Sequence, residues 1–308
     1  MSRMHRNRIT DTPQMRKQGR FRLMIQLLAA ALFNGYAAGF LHGKIYTGNA
    51  KRICVPVLNC YSCPGALGAC PIGSMQAVAG SGTHRFSFYV LGIITLFGTL
   101  LGRLLCGFLC PFGLIQDLLH KIPTPKLRIP RKADRILRYL KYAVLVVLVL
   151  LLPAVIVNQY GIGDPWFCKY ICPAGTLEGG IPLILKNEQL QELTGFLFSW
   201  KLGILIAVIL GSVFIGRCFC RYLCPLGAFY ALFNRFALYR MQVSEQTCIR
   251  CGKCEQICPM AVDVTKQING TECIRCGKCK AACPTQAITS GFLCQSNQQK
   301  GNEHGTKS

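Results

Sequence analysis

Two nearly identical cysteine runs occupy the C-terminal third of this sequence. The first, C-I-R-C-G-K-C-E-Q-I-C-P, begins at Cys248, and the second, C-I-R-C-G-K-C-K-A-A-C-P, ends at Pro284. Both have the spacing C-x2-C-x2-C-x3-C-P, in which three cysteines bind one [4Fe–4S] cluster and the fourth binds its neighbour. The spacing therefore predicts two [4Fe–4S] clusters in a small α+β domain of the bacterial ferredoxin type.

The interleaved order assigns four cysteines to each cluster. The first cluster is assigned Cys248, Cys251, Cys254 and Cys283, and the second Cys273, Cys276, Cys279 and Cys258. Gly252 and Gly277 allow the backbone to approach the sulfur atoms closely. A zinc site is disfavoured because it needs only four ligands, whereas this pattern supplies eight in a repeated order.

The remainder of the chain has the composition of a membrane protein, with 51% hydrophobic residues among 308. Its apolar stretches are long enough, or nearly so, to cross about 30 Å of hydrocarbon. We predict spans at Leu23 to Leu41, Phe86 to Leu105, Leu140 to Val157 and Phe196 to Gly216. The predicted fold is mainly α: a four-helix transmembrane bundle built as a tandem repeat, followed by the ferredoxin domain.

The net charge of +23 is distributed as a topology signal rather than as a nucleic-acid surface. Lys and Arg are concentrated before the first predicted span and between the second and the third. Because cytoplasmic segments of membrane proteins are enriched in these residues, we predict that both termini are cytoplasmic, in the cell (inner) membrane. The predicted divisions are a basic, disordered tail (1–22) against the lipid bilayer, the membrane domain (23–240), the ferredoxin domain (241–290) and a polar tail (291–308).

Four copies of a Cys-Pro-x-Gly motif begin at Cys70, Cys110, Cys172 and Cys224. Proline is favoured at the first position of a helix, so each of these cysteines is predicted at a helix N-terminus. The last three copies have a second cysteine four residues upstream, which predicts two thiolates on one helical face. The segments after Cys110 and Cys224 are predicted to form short amphipathic helices along the membrane face.

The repeat predicts that equivalent cysteines of the two halves meet. An inner set of Cys106, Cys110, Cys220 and Cys224 has the ligand number of one further cluster, with Arg103 and Arg217 near enough to offset its charge. An outer set would combine Cys168, Cys172 and Cys70 with either Cys60 or Cys63, because Ala66 stands where strict repetition requires a cysteine. Disulfides explain the outer set almost as well. Cys54, Cys218 and Cys294 are left unassigned.

These motifs resemble the NapH and YccM-like family of membrane-bound polyferredoxins, including the C-terminal module of NosR. The resemblance covers about residues 20 to 290 and rests on the C-x3-C-P pairs ending at Cys110 and Cys224 and on the two ferredoxin runs. It implies an electron-transfer subunit with quinol dehydrogenase activity, which exchanges electrons with the quinone pool and a reductase, cytochrome or ferredoxin-type partner.

Two other functions stay open at the level of sequence. One is a CcoG-like accessory reductase that handles copper during oxidase assembly, because that class shares C-x3-C-P pairs and a ferredoxin segment. The other is a redox sensor in which the outer cysteines form reversible disulfides. Quinol oxidation, cupric reduction and disulfide state are the observations that separate these functions.

Overall fold

A computed structural model describes residues 12–81, 88–127, 129–159, 161–192 and 194–292. Cys294, the start of the second predicted span and most of the polar tail lie outside these ranges. The helices before the ferredoxin domain are α1 (Pro13–Phe33), α2 (Ala37–His42), α3 (Pro71–Ala79), α4 (Phe88–Leu101), α5 (Leu104–Phe108), α6 (Pro111–Leu119), α7 (Arg131–Ala143), α8 (Leu152–Val155), α9 (Trp166–Tyr170), α10 (Ile181–Lys186), α11 (Glu188–Glu192), α12 (Phe196–Phe214), α13 (Cys218–Tyr222) and α14 (Pro225–Asn234). A 3₁₀-helix covers Asn49–Arg52, and π-helical segments cover Val144–Leu151 and Gly175–Gly180.

Two helices in the described part of the chain are long and apolar enough to cross a membrane. One runs continuously over Lys132–Val155, through α7, the π-helical segment and α8, and the other is α12. They correspond to the third and fourth predicted spans. Helix α4 is apolar but shorter, and it is followed by Gly102 at a φ of +58°. The positive φ lets the chain turn sharply at this point. A side chain at Gly102 would also collide with the guanidinium of Arg275.

The N-terminal helix differs from the prediction. Helix α1 begins at Pro13, with the Thr12 side chain accepting a hydrogen bond from the backbone N–H of Met15, so part of the predicted disordered tail is helical. The predicted first span is not one helix, because α1 ends at Phe33. The carbonyl of Phe33 accepts a hydrogen bond from the N–H of Leu67 in the following loop, instead of one from a further turn of α1. The outer cysteine loop therefore ends α1.

The loop between α2 and α3 folds back into the helical core. A parallel β-bridge joins Cys54 to Ala69, and Val57 and Leu58 are almost fully buried. The hydroxyl of Tyr230 donates a 2.9 Å hydrogen bond to the carbonyl of Pro56. The loop that precedes the first Cys-Pro motif therefore packs inside the protein.

Helix α14 is a buried core helix rather than the amphipathic surface helix that the sequence predicted. Leu226, Ala228, Tyr230 and Ala231 are at most 2% exposed. Helices α4 and α7 and the π-helical segment pack against α14 and cover it. Its small and apolar residues are therefore buried by protein on several sides.

The C-terminal domain has the predicted α+β composition. Its elements are β1 (Tyr239–Val243), α15 (Lys253–Gln256), α16 (Val264–Gln267), α17 (Lys278–Ala282) and β2 (Ile288–Phe292). The two strands are antiparallel, with Tyr239 opposite Phe292. The domain contacts the helical core through polar groups: Asn234 at the end of α14 donates to the carbonyls of Gly270 and Cys273. Helix α17 also packs on α1.

Candidate metal centres

The first cysteine run and the last cysteine of the second run surround one cavity. Its lining contains Cys248, Cys251, Cys254 and Cys283, the four residues assigned to the first cluster. Gly252 lies between them in the left-handed conformation, with a φ of +71°, and is the N-cap residue of helix α15. A chain that wraps a compact group within four residues needs such a turn.

The second run forms a matching cavity. Cys273, Cys276 and Cys279 line it together with Cys258, the fourth cysteine of the first run. Gly277 repeats the turn with a φ of +74°. The exchange of the fourth cysteine between the runs is therefore present in the structure.

A third cavity lies inside the helical domain and is lined by the four inner cysteines. They are Cys106, Cys110, Cys220 and Cys224, and each is at most 8% exposed. Pro56, Val57 and Leu58 of the folded-back loop close the same cavity. We call these four cysteines the inner quartet.

Each cysteine pair of the inner quartet is divided between two helices rather than placed on one helical face. Cys106 lies in α5, whereas Cys110 caps the N-terminus of α6 in an extended conformation, with a ψ of 117°. Cys220 and Cys224 repeat this arrangement at α13 and α14, with a ψ of 111° at Cys224. The proline that predicted the helix starts also disfavours the helical conformation in the cysteine before it, and the one-face prediction did not include this second effect. The predicted helix starts after Cys110 and Cys224 are confirmed.

Two fully buried arginines cross between the halves of the repeat. Arg103 donates to the carbonyl of Cys220 at 3.2 Å, and Arg217 donates to the carbonyl of Cys106 at 2.6 Å. Both guanidinium groups also interact with the thiol of Cys106. They supply positive charge beside four sulfur atoms, as the sequence predicts.

Acidic residues hold these arginines in place. Asp117 accepts hydrogen bonds from Arg217 and also pairs with Arg22 of α1. Burial alone would raise the pKa of Asp117, but the two guanidinium groups keep it well below its ordinary value. Sequence reasoning placed Arg22 in a disordered tail and did not identify this pair.

Two glutamine side chains of the first half of the repeat contact cysteines of the second half, and sequence reasoning missed them. Gln116 Nε2 donates to Cys220 Sγ at 3.1 Å, and its Oε1 accepts from the N–H of Phe219. Gln76 makes the equivalent 3.1 Å contact with Cys168 Sγ. The signal was present, because each glutamine follows the cysteine of a Cys-Pro motif by six residues.

The outer cysteines converge less symmetrically. Cys60, Cys70, Cys168 and Cys172 interact electrostatically with one another, whereas Cys63 Sγ lies 3.5 Å from Asn34 Oδ1 and beside the ammonium group of Lys51. We call the first four the outer quartet.

Glu178 adjoins the outer quartet. Its Oε2 accepts the backbone N–H of Cys60 at 2.9 Å, and burial raises the pKa of this carboxyl group to about 7.

The chemistry of these sulfur atoms fits metal-bound thiolates. Burial raises the pKa of Cys172 and Cys224 well above the ordinary value, so clustered thiols at these positions need a cation to become thiolates. Among the residues that the structure describes, no three His, Cys, Asp or Glu side chains converge closely enough to hold a single metal ion. The ferredoxin cysteines and the inner quartet instead surround cavities, which suits a multinuclear group.

Two family models for iron–sulfur proteins match this chain. A 4Fe-4S binding domain matches residues 83–130, 144–186 and 196–241, and a 4Fe-4S dicluster domain matches residues 240–284. The first includes the inner quartet, and the second includes all eight ferredoxin cysteines. The chain therefore contains 4Fe-4S binding domains in both of its parts.

Curated relatives come from archaea and bacteria. An uncharacterised protein of Methanocaldococcus jannaschii is 31% identical over 58% of this chain and 68% of its own length. YccM of Escherichia coli, named for electron transport, is 27% identical over 60% of this chain and 49% of its own. The methylamine utilization ferredoxin-type protein MauN of Paracoccus denitrificans is 29% identical over 51% and 48%. The chain thus spans about two thirds of the first relative and about half of the other two.

The chain belongs to the YccM- and NosR-like family of 4Fe-4S proteins. This confirms the family resemblance given by its cysteine motifs. No solved structure shows significant similarity to the chain.

Proposed function

We propose that this protein is a membrane-bound electron carrier that connects the quinone pool with a protein redox partner through [4Fe–4S] clusters. The observation that carries the proposal is the succession of three four-cysteine cavities, two in the ferredoxin domain and one in the helical core. The family membership and the electron-transport name of the relative YccM support it.

The cavities follow one another through direct contacts. Cys251 of the first cavity is exposed, which suits exchange with a protein partner. Cys258 joins the first cysteine run to the second cavity. The second cavity meets the inner quartet where Gly107, next to Cys106, packs directly against the carbonyl of Ile274.

The residues around the cavities would hold and tune the clusters. A [4Fe–4S] cluster supplies one-electron chemistry at a potential set by hydrogen bonds, charge and solvent exposure. The N–H of Gly227 donates to Cys224 Sγ at 3.3 Å, and Gln116 donates to Cys220 Sγ. Burial keeps water away from all four inner sulfur atoms.

For the orientation we propose a four-span bundle in the cytoplasmic membrane, with both termini in the cytoplasm. The helices Lys132–Val155 and Phe196–Phe214 and the shorter apolar α4 support three of the spans. For the first span we propose the end of α1 together with α2. The basic residues before Leu23 and between Lys121 and Arg138 support the orientation. Reporter fusions after Gln191 should be external and fusions after Ser308 cytoplasmic, and an external reading at Ser308 would contradict the proposal.

The cluster content can be tested with the full-length protein purified anaerobically. Replacing a ligand of one [4Fe–4S] cluster should remove about four irons and four sulfides per chain, so we expect this loss for Cys224→Ser. Cys218→Ser is the matched control, because Cys218 Sγ faces the carbonyl of Val208 and does not line the cavity. Equal iron in the Cys224→Ser and unmodified proteins would show that the inner quartet binds no cluster.

The quinone link needs a separate assay. A soluble quinol analogue should bleach the visible absorption of the clusters under anaerobic conditions, and Cys224→Ser should slow the bleaching. Absence of bleaching, together with rapid one-electron reduction of cupric ion by protein that was first reduced with dithionite and then desalted, would replace the quinone link with copper reduction. The cuprous ion formed is measured with a chelator.

A further inference from the structure

The outer quartet repeats the construction of the inner quartet. In the inner quartet, each thiol interacts electrostatically with the other three. The same holds for Cys60, Cys70, Cys168 and Cys172. A Cβ atom at Gly175 would lie 3.8 Å from the sulfur atoms of both Cys60 and Cys172, so these two sulfurs reach the same place.

The sulfur atoms of both quartets receive the same hydrogen bonds. Gln76 donates to Cys168 Sγ at 3.1 Å, and Gln116 donates to Cys220 Sγ at the same distance. Hydrogen bonds of this kind stabilise thiolate ligands of metal centres. A pair of cysteines used only for packing would not need an amide donor directed at the sulfur.

A second donor is also repeated. The N–H of Gly175 donates to Cys172 Sγ at 3.4 Å, and the N–H of Gly227 donates to Cys224 Sγ at 3.3 Å. Each glycine is the third residue after a Cys-Pro cysteine, and its backbone N–H points back to the sulfur of that cysteine. The outer and inner quartets therefore present these sulfur atoms in equivalent surroundings.

The fourth outer ligand comes from a different position than strict repetition requires. Ala66 occupies the repeat position, and Cys60 replaces it in space. The backbone N–H of Cys60 is held by Glu178, which follows Cys172 by six residues and therefore has the same motif position as Gln76 and Gln116. Glu178 Oε1 is buried and has no hydrogen-bond partner. The carboxylate thus fixes the loop that brings Cys60 to the other three cysteines.

We propose that Cys60, Cys70, Cys168 and Cys172 bind a fourth [4Fe–4S] cluster, with Cys63 outside the ligand set. This inference rests on the proposed function, since it adds a site to the same series of clusters. Cys63 is excluded because its sulfur faces Asn34 Oδ1.

The position of the outer quartet relative to the inner one supports this site. Tyr230 is fully buried, and its hydroxyl donates to the carbonyl of Pro56, which lines the inner cavity. Helix α3, which begins after Cys70, packs on α14, which begins after Cys224. Cys70 and Cys172 of the outer quartet therefore lie in the same packed core as the inner quartet.

The test measures iron and acid-labile sulfide in the full-length, anaerobically purified protein. Four clusters predict about sixteen irons per chain, against about twelve for three clusters. Cys168→Ser should lose about four irons, and Cys63→Ser, the matched control, should lose none. A count near twelve in the unmodified protein would overturn the inference even if the Cys168→Ser protein failed to fold.

Other outcomes separate this inference from the proposed function. Loss of iron in Cys224→Ser but none in Cys168→Ser would overturn the outer site and leave the inner one intact. Loss in Cys63→Ser equal to that in Cys168→Ser would overturn the ligand assignment. Mass spectrometry after alkylation of the denatured protein gives a further check, because a disulfide between outer-quartet cysteines in most of the anaerobic protein would overturn a cluster at this site.

Discussion

The two ferredoxin runs contain the same seven residues, C-I-R-C-G-K-C, in very different surroundings. Their arginines share a φ of +51°, so the local backbone is also the same. Ile249 of the first run is 63% exposed, whereas Ile274 of the second run is 2% exposed. An identical sequence with an identical local conformation is thus buried or exposed according to what packs against it.

The difference originates in contacts with the helical core. Arg275 donates to the carbonyls of Leu101 and Asn234, at the ends of α4 and α14, with distances of 2.8 and 2.5 Å. Arg250, its counterpart, is exposed. The residue before the second run is Glu272, which pairs with Arg103 and Lys141, whereas the equivalent Thr247 is exposed.

Removal of Glu272 should have the largest effect. Glu272→Ala leaves Lys141 and Arg103 buried with less compensation, and loss of one partner from a buried ion pair costs about 3–5 kcal/mol. We expect that loss in the free energy of unfolding, measured by anaerobic denaturant titration of the detergent-solubilised protein. Thr247→Ala is the matched control and should change stability by less than about 0.5 kcal/mol. Equal effects of the two substitutions would refute the role of Glu272 in docking.

Arg275→Ala should follow in size. The substitution leaves two helix-terminal carbonyls without their donor, and hydrogen bonds from a charged group contribute about 1.5–3 kcal/mol each. Because both bonds come from one guanidinium group, their contributions are not additive, and a total destabilisation of about 2–4 kcal/mol is expected in the same titration. Arg250→Ala, in the identical run, should be nearly neutral. Protease cleavage between α14 and β1 should increase only in the Arg275→Ala protein, and no increase would argue against docking through Arg275.

The two ferredoxin cavities should also differ in reactivity. Cys251 is exposed and Cys276 is buried, so oxidant and iron chelator reach the first cavity more readily. We expect biphasic loss of the ferredoxin-domain iron, with the fast phase about tenfold faster, which corresponds to about 1.4 kcal/mol in local opening. Glu272→Ala should accelerate the slow phase. A single phase in the unmodified protein would contradict the difference in exposure.

The parts of the structure that depend on repeated local spacing could be predicted from sequence. The interleaved runs specify which four cysteines share each ferredoxin cavity, because C-x2-C-x2-C leaves the chain few ways to surround one group. The equivalence of Cys106/Cys110 with Cys220/Cys224 likewise predicted the meeting of the inner quartet. Whether these sets hold clusters stays a prediction until iron is measured.

The parts of the structure that depend on tertiary contacts could not be predicted from the sequence. Hydropathy placed a span across Phe33, but a loop hydrogen bond ends the helix at this residue. Spacing placed Cys106 and Cys110 on one helical face, although the following proline was available as a signal against it. The choice of Cys60 over Cys63 required the position of Glu178, which belongs to the other half of the repeat.

The smallest expected effect that still distinguishes the two runs comes from the removal of one methylene group. Ile274→Val removes a methylene-sized volume from a side chain packed in the main core, where such a change costs about 0.5–1.5 kcal/mol. Ile249→Val removes the same atoms from an exposed side chain and should change the free energy of unfolding by less than about 0.5 kcal/mol. Because both substitutions fall in C-I-R-C-G-K-C, any effect on the local backbone or on cluster wrapping cancels in the comparison. A difference near zero between the two proteins in denaturant titrations would mean that the second run does not pack against the helical core in solution.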